Sequence, residues 1–565
     1  MYKIPYGISH FETIRKEHYI YVDKTTFIRE IEKANYLIHL RPRRFGKSLF
    51  LSMLDCYYDM AQEHRFDELF KGLEIHQNPT QNRNNYYMLR FNFSGVQNSE
   101  TENLEQGFNR KVKEGVERFI ERYKLNLSLP KTQTAAGILG GLLTDFKSLN
   151  LPHQIYILID EYDHFTNSVL SGNGVDFLEV LRRGGFVRSF YEIIKEQTEL
   201  GVIGRIFITG VMSVTLDSMT SGFNMASNVT TQKNFNAMMG FTAKEVKGLL
   251  STTFSGNVQF SEAEQTHIFE IFRENYNGYL FSPKSDTKIF NSTLIMYYLN
   301  HRIWQGEAPD TLVDVNLNQS GSTISNIVEL KMPEQNRALI REIVENKAVR
   351  GELESFINID KKFDQDDVIT MLYNIGILTL RKTEFGTAFE IPNKIIQRIY
   401  LQYLSDLLQK QAEYRIDLRK QRLAFQELGE SGDIRPLTQI VEDFLLHASN
   451  RNLIDLDEKH VKFIYFMLTH STEDFIVYDE FPLGNGYGDI FIQKTLASKA
   501  KFETLIELKY LKRKETTVAN IEAKLSEGKQ QIEHYLKDER LAHRPDLVKY
   551  VIVFSGYEAV RIEKV

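Results

Sequence analysis

The sequence predicts an α/β fold in three parts: an N-terminal parallel sheet with helices on both faces, a mostly helical middle region and a small C-terminal α/β domain. Three observations predict it. Over residues 1–290, short, fully apolar runs rich in β-branched residues alternate with helically spaced stretches, the pattern of a parallel sheet covered on both faces. Helical periodicity dominates 291–415, and short strands return after a helical start in 416–565. At 565 residues the chain also outgrows a single core, which stops enlarging near ~250–300 residues.

The first strand, Tyr36–Leu40 (YLIHL), runs into Arg41–Ser48 (RPRRFGKS) and then a helical stretch, Leu49–Met60. A Gly-Lys-Ser turn between strand and helix is the core of the phosphate-binding P-loop, G-x-x-x-x-G-K-[ST]. Gly46 lets the backbone approach a phosphate; the N–H groups of Arg44 and Phe45 and the helix N-terminus would cradle it. Lys47 would reach the β- and γ-phosphates, and Ser48 would bind Mg²⁺. Arg41 stands where the general pattern has its first glycine, and Arg43 and Arg44 add positive charge. Tyr87–Phe93 reads as a second strand. Ile155–Ile159 (IYILI) is a third and ends at Asp160-Glu161, with Asp163 close behind. An apolar strand ending in two acids suits nucleotide hydrolysis: Asp160 would hold the metal and Glu161 orient or deprotonate the attacking water. Val202–Thr209 (VIGRIFIT) ends in Thr209, placed for a polar sensor of the γ-phosphate between the two motifs; Arg205, at the strand start, is expected to be solvated. Helices are expected over 101–124, 174–200 and 242–254.

In the middle region Asp366–Ile377 reads as a helix closing at Gly376, and Ile377–Ile391 as a hairpin with Glu384–Gly386 in its turn. Together they suggest a winged-helix-like connector. Further on, Asp457–Leu468 is an amphipathic helix with Asp455 or Asp457 as cap. Strands follow at Phe475–Val477, Asp489–Gln493 and Phe502–Leu508, then a charged helix over 517–537 and a last strand, Val548–Phe554. Alternate side chains of a strand share a face, so Glu507 and Lys509 project together. If the two central strands pair, Asp489 lies beside Glu507. Two carboxylates and a strand carbonyl make a hard oxygen site for Mg²⁺ or Mn²⁺. Lys509 would position the attacking water or stabilise developing charge. Gln531 and Tyr535, four apart, share one helical face.

These residues resemble a known family, the AAA-ATPase-like proteins fused to a PD-(D/E)XK nuclease domain that occur in many bacteria. The likeness rests on Tyr21–Thr25 (YVDKT), Arg41–Ser48, Ile159–Asp163 (IDEYD), Thr209–Val211, Gly240–Thr242, Tyr276–Tyr279 (YNGY), Gly376–Thr379 and Ile391–Asn393. The D-x(17)-E-x-K spacing of Asp489, Glu507 and Lys509 resembles the nuclease core. The resemblance implies a P-loop NTPase sheet and a C-terminal restriction-endonuclease-like domain, with ATP and Mg²⁺ as cofactors and nucleic acid, DNA foremost, as partner. It makes the arginine at position 41 a family trait and adds Gln531 to the catalytic group. It also offers Glu458 or Glu480 as a further acid near the metal and Asp23 and Lys24 as neighbours of the nucleotide, and it leaves room for a homo-oligomer. A regulatory ATPase switch of the STAND type, whose C-terminal domain only binds a partner, is the alternative reading.

Composition narrows the classes further. A net charge of -6 gives no general attraction to phosphate, so nucleic-acid contact needs a local patch; Arg415–Arg422 and Lys509–Lys514 are the basic runs on offer. A single cysteine, Cys56, excludes an internal disulfide and fits a reducing compartment. Met1–Tyr19 has no apolar signal core, and no apolar run approaches the ~20 residues of a membrane helix. A cytoplasmic protein without a membrane partner is expected. His460 and His534 are expected as surface or packing residues, not ligands, and Trp304 in packing.

Overall fold

Apolar runs become strands where the sequence places them. The computed structural model describes residues 3–96, 103–164, 185–212, 226–257, 261–309, 311–313, 320–330, 332–354, 364–450, 457–469, 474–483, 486–495 and 498–565. In the N-terminal half, β1 (Tyr36–Leu40), β2 (Tyr86–Asn92), β3 (Gln154–Asp160), β4 (Ile203–Gly210) and the two-residue β5 (Ser227–Asn228) form one sheet. Its order is β2-β3-β4-β1-β5, and every pair is parallel. β4 therefore lies between the strand leading to the Gly-Lys-Ser turn and the strand ending in Asp160. Register aligns Leu40 with Gly210 and Asn92 with Asp160, so the C-terminal ends of the strands meet at one edge, where ligands bind in open parallel sheets.

Helix Lys47–Tyr58 follows β1, Leu104–Tyr123 and Ala135–Ser148 connect β2 to β3, and Gly185–Glu199 leads into β4. Residues 174–184 of the helix expected over 174–200 lie outside the described residues. Helix Ala135–Ser148 was hidden in the sequence by three glycines, which weaken helix propensity; at Gly141 a Cβ would stand 2.7 Å from Pro130, so packing demands the glycine there. The expectation of a solvated Arg205 is overturned. The side chain is buried and donates to the carbonyls of Ile31 at 2.8 Å and Ala34 at 2.6 Å, tying β4 to the chain segment before β1.

In the middle region Asp364 caps helix Gln365–Asn374 by accepting from the N–H groups of Asp366 and Asp367. The expected hairpin forms as β7 (Thr379–Arg381) and β8 (Ala388–Glu390), and a third strand, β6 (Ala348–Arg350), joins it antiparallel in the order β6-β8-β7. Trp304, expected in packing, is 83% exposed; it sits in the last turn of helix Ser292–Gln305, just before the capping Gly306.

The second sheet is mixed. It comprises β9 (Phe475–Leu483), β10 (Gly486–Lys494), β11 (Glu503–Leu511), β12 (Leu547–Ser555) and β13 (Glu558–Lys564), in the order β13-β12-β11-β10-β9. Only β11 and β12 run parallel, and helix Val518–Tyr535 makes their crossover. Its Leu525, Ile532 and Tyr535 pack with Leu505, Leu511, Val551 and Val553 on the face of β11 that also carries Glu507 and Lys509. The chain divides into two compact units, Met1–Gln397 and Arg398–Val565. Among the described residues no helix is long and apolar enough to cross a membrane.

Candidate functional sites in the two units

At the N-terminal sheet edge, the phosphate loop is shaped by two left-handed residues and by its neighbours. Arg44 and Gly46 both adopt left-handed backbone conformations, with φ of 72° and 89°. Arg41, at the position of the missing glycine, is fully buried. Its guanidinium donates to Leu40 O, Thr230 O and Phe235 O at 2.7–2.9 Å and lies 4.1 Å from the Phe281 ring centroid. It braces the loop from beneath instead of facing a ligand. The Phe45 side chain turns inward, edge-on to Tyr279 and Phe281, so only its main chain remains for a phosphate. Arg44 O accepts the hydroxyl of Thr293 at 2.8 Å.

Lys47 is buried, and its ammonium donates to Arg41 O and Pro42 O, both at 3.0 Å. Burial lowers its pKa; Asp160, Asp163 and Glu161 oppose the shift with their negative charges. Asp160 is fully buried, and neither carboxylate oxygen has a hydrogen-bond partner among the described residues. Burial raises its pKa, while the nearby Ser48 hydroxyl and the Lys47 charge pull the other way. A buried carboxylate left bare beside a lysine and a serine is what a divalent cation would satisfy. Glu161, next in sequence, has a positive φ of 51°, a strained conformation for a side-chain-bearing residue. Its half-exposed carboxylate meets His164 Nδ1 at 2.9 Å, a contact that lowers its pKa.

The remaining motif residues act as braces. Asp163 accepts from Val211 N at 3.0 Å and Met212 N at 2.6 Å, clamping the end of β3 to that of β4. Gly210 permits this: a Cβ there would stand 2.2 Å from Asp163 Oδ1. The Thr209 hydroxyl donates to His39 O at 2.9 Å, which commits its proton to β1. Lys24 is buried and bonds both oxygens of Glu245, at 2.7 and 2.9 Å, while Asp23 accepts from Thr25 and from Glu74 N.

In the C-terminal sheet, Ile490 opposes Ile506, so the antiparallel register brings Asp489 beside Glu507. Both are buried, as is Lys509. Asp489 Oδ2 accepts from Leu508 N at 2.8 Å, and Lys509 Nζ donates to Glu507 Oε1 at 2.8 Å. Glu507 Oε2 and Gln531 Oε1 are buried without a hydrogen-bond partner among the described residues. Burial, with the charge of Asp489, pushes the Glu507 pKa up to about 7. Burial works against the Lys509 charge, but the Glu507 carboxylate outweighs it and raises that pKa. Tyr535 is raised by burial and by the charges of Glu507 and Asp489, which places its hydroxyl close to the acid pair. Asp489, Glu507, Lys509 and Tyr535 thus converge, and Gln531 lies one turn before Tyr535 on the same helix.

Glu458 lies near enough for its charge to act on Lys509; the side chain of Glu480 lies outside the described residues. Among the described residues no three His, Cys, Asp or Glu side chains converge as a metal cluster, so a cation here would rest on two carboxylates, with carbonyls and water completing its shell. Sequence reasoning missed Lys462, whose ammonium forms an ion pair with Asp489 Oδ1. The available signal was its position one turn beyond Glu458 on the amphipathic helix Glu458–Thr469.

Comparison with known proteins agrees with this division. Residues 5–220 match the AAA-ATPase-like family, described as a predicted AAA-ATPase, and residues 456–564 match the PD-(D/E)XK nuclease superfamily. Over 318 residues the chain is 27% identical to an uncharacterized protein in the vnfD 5' region of Azotobacter chroococcum mcd 1; the match covers 55% of this chain and 56% of that relative. The chain therefore spans just over half the length of the curated relative it matches. A solved structure, the Walker-type ATPase paby2304 of Pyrococcus abyssi, aligns with a TM-score of 0.39 and 13% identity, covering 67% of this chain and 96% of that one.

Proposed function

We propose that this chain, which joins an AAA-ATPase-like domain to a PD-(D/E)XK nuclease-superfamily domain, hydrolyses ATP at its first site and cleaves DNA phosphodiesters at its second, both with Mg²⁺. The observation that carries the reading is that each site keeps a buried carboxylate oxygen without a partner: both oxygens of Asp160, and Oε2 of Glu507. Leaving such an acceptor unpaired costs about 1–3 kcal/mol, and a cation would satisfy it.

At the first site Lys47 and the Arg44–Ser48 backbone bind the triphosphate, Ser48 and Asp160 hold the metal, and Glu161 orients the attacking water. Thr209, buried with its hydroxyl proton given to His39 O, braces β4 against β1 and has no donor left for the γ-phosphate. At the second site Asp489 and Glu507 hold the metal, Lys509 steadies the water or the developing charge, and Gln531 positions the scissile phosphate. A bound divalent cation supplies Lewis-acid polarisation of the phosphate and a more acidic water. Lys512, Arg513 and Lys514 are exposed just past the end of β11 and form the local basic patch for nucleic-acid backbone.

The N-terminal nucleotide state regulates the nuclease, and a cytoplasmic bacterial protein acting on DNA, able to self-associate, fits the whole. The boundaries 1–290, 291–415 and 416–565 describe the ATPase, the winged-helix-like connector and the nuclease. The test is incubation of the purified protein with plasmid or single-stranded DNA, Mg²⁺ and ATP. Wild type should cut, and Glu507→Ala should lose at least about 10²-fold in rate, more than loss of an outer-shell ligand partner. A Glu507→Ala protein that cuts as fast as wild type removes the nuclease reading and leaves the switch-like ATPase.

A further inference from the structure

The acid pair of the second sheet carries its own cation. Asp489 Oδ2 accepts from Leu508 N–H at 2.8 Å, which makes Oδ1 the oxygen that the backbone does not hold. Lys462 takes that oxygen. Glu507 gives Oε1 to Lys509 and keeps Oε2 bare. Two carboxylates and two ammoniums make the pair formally neutral without any metal, which lets Asp489 and Glu507 stay buried side by side.

The two lysines are not equivalent. The Lys509 side chain is 3% exposed and is fixed within β11, whereas the Lys462 side chain is 24% exposed and stands on a helix. Lys462 has a way out to solvent. It also has somewhere to go: Glu458 lies four residues back on the same helical face, the favourable order for a Glu–Lys pair.

We propose that Lys462 is the resident counter-ion of Asp489, competing with the divalent metal for Oδ1 and so setting the metal affinity of the site. The proposal rests on the reading that Asp489 and Glu507 hold a divalent cation. A divalent cation held by Asp489 would replace the Lys462–Asp489 ion pair, and the Lys462 ammonium would turn toward Glu458 and solvent without losing its proton.

The test is titration calorimetry of the full chain with Mn²⁺ in the absence of nucleotide, taking the heat abolished by Asp489→Asn as that of this site. Lys462→Met, which keeps the apolar stem, should bind Mn²⁺ about tenfold more tightly, the scale of one charge-assisted contact. Lys462→Arg should stay within about threefold of wild type, since it keeps the charge. Equal or weaker binding by Lys462→Met overturns the proposal. Absence of any Asp489-dependent heat in both wild type and Lys462→Met instead overturns the metal reading beneath it. Should Lys462→Met not fold, wild type alone decides: Mn²⁺ should increase acetylation of Lys462 by a water-soluble acylating reagent, read by mass spectrometry, and an unchanged or reduced extent refutes displacement.

Discussion

Asp160→Asn separates stability from function at the nucleotide site. The wild-type carboxylate is fully buried, has no hydrogen-bond partner among the described residues, and has a pKa raised above its ordinary 3.8 by burial. A raised carboxyl pKa favours folding at pH values below the ordinary one; that contribution is lost as pH climbs through the folded-state value. At neutral pH the ionised side chain is therefore a net burden, lightened by Lys47 and Ser48. An asparagine removes the charge but keeps polar atoms unpaired, so part of the ~1–3 kcal/mol cost of an unsatisfied buried group is recovered. About 1 kcal/mol is a reasonable share, and it corresponds to a rise in Tm of roughly 1–2 °C in a unit of this size. The assay is differential scanning fluorimetry without nucleotide, from pH 5 to 8. The gap between variant and wild type should narrow as pH falls, because protonation then relieves the wild type as well. With Mg²⁺ and ATP the order should invert: wild type gains about 2.7 kcal/mol at a ligand concentration a hundred times Kd, and the variant gains little. An Asp160→Asn protein that melts below wild type without nucleotide, yet shifts equally with ATP, would refute the reasoning.

Other perturbations follow from the same geometry. Lys47→Ala removes the ammonium and leaves Arg41 O and Pro42 O without their donor, so ATP affinity, measured with a fluorescent analogue, should fall at least about tenfold; Lys47→Arg should not restore it, because a guanidinium is too large and too differently shaped for the buried position. Gly278 has φ of +103°, and a Cβ there would stand 1.8 Å from Pro392 O. Gly278→Ala should therefore lower stability by about 3 kcal/mol or more, through strain and overpacking together, seen as a lowered melting temperature of the nucleotide-bound protein. At the second site, Glu507 must be ionised to hold a metal, and its pKa stands near 7. Mn²⁺ affinity at that site, followed by calorimetry, should be level above pH 8 and weaken by up to about tenfold per unit below pH 7; a flat profile from pH 5.5 to 8 would contradict the role of Glu507.

Much of this was legible because the chemistry is written in short contiguous stretches. A strand, a turn and a helix adjacent in sequence placed Lys47; a strand ending in acids placed Asp160; and the period of two along β11 put Glu507 and Lys509 together, with the register of β10 supplying Asp489. What was hidden depends on contacts between distant segments. Arg205 looked solvated because its partners, Ile31 and Ala34, lie far back in the chain. Arg41 read only as a departure from the glycine of the general pattern, and its bracing role shows where Thr230, Phe235 and Phe281 close around it. Lys462 was one charge on an ordinary amphipathic helix, and only the packing of that helix shows which strand it meets. The edge strand β13, with its many charges, and helix Ala135–Ser148, with its glycines, carry no strong local signal.

The most direct measurement is anomalous diffraction from crystals grown with Mn²⁺ and a non-hydrolysable ATP analogue. The account predicts two manganese peaks, one between Ser48, Asp160 and the analogue's phosphates, the other between Asp489 and Glu507 with Lys462 swung away. Phosphates bound elsewhere than along Arg44–Ser48, or manganese absent from the Asp489–Glu507 pair at saturating concentration, would contradict it.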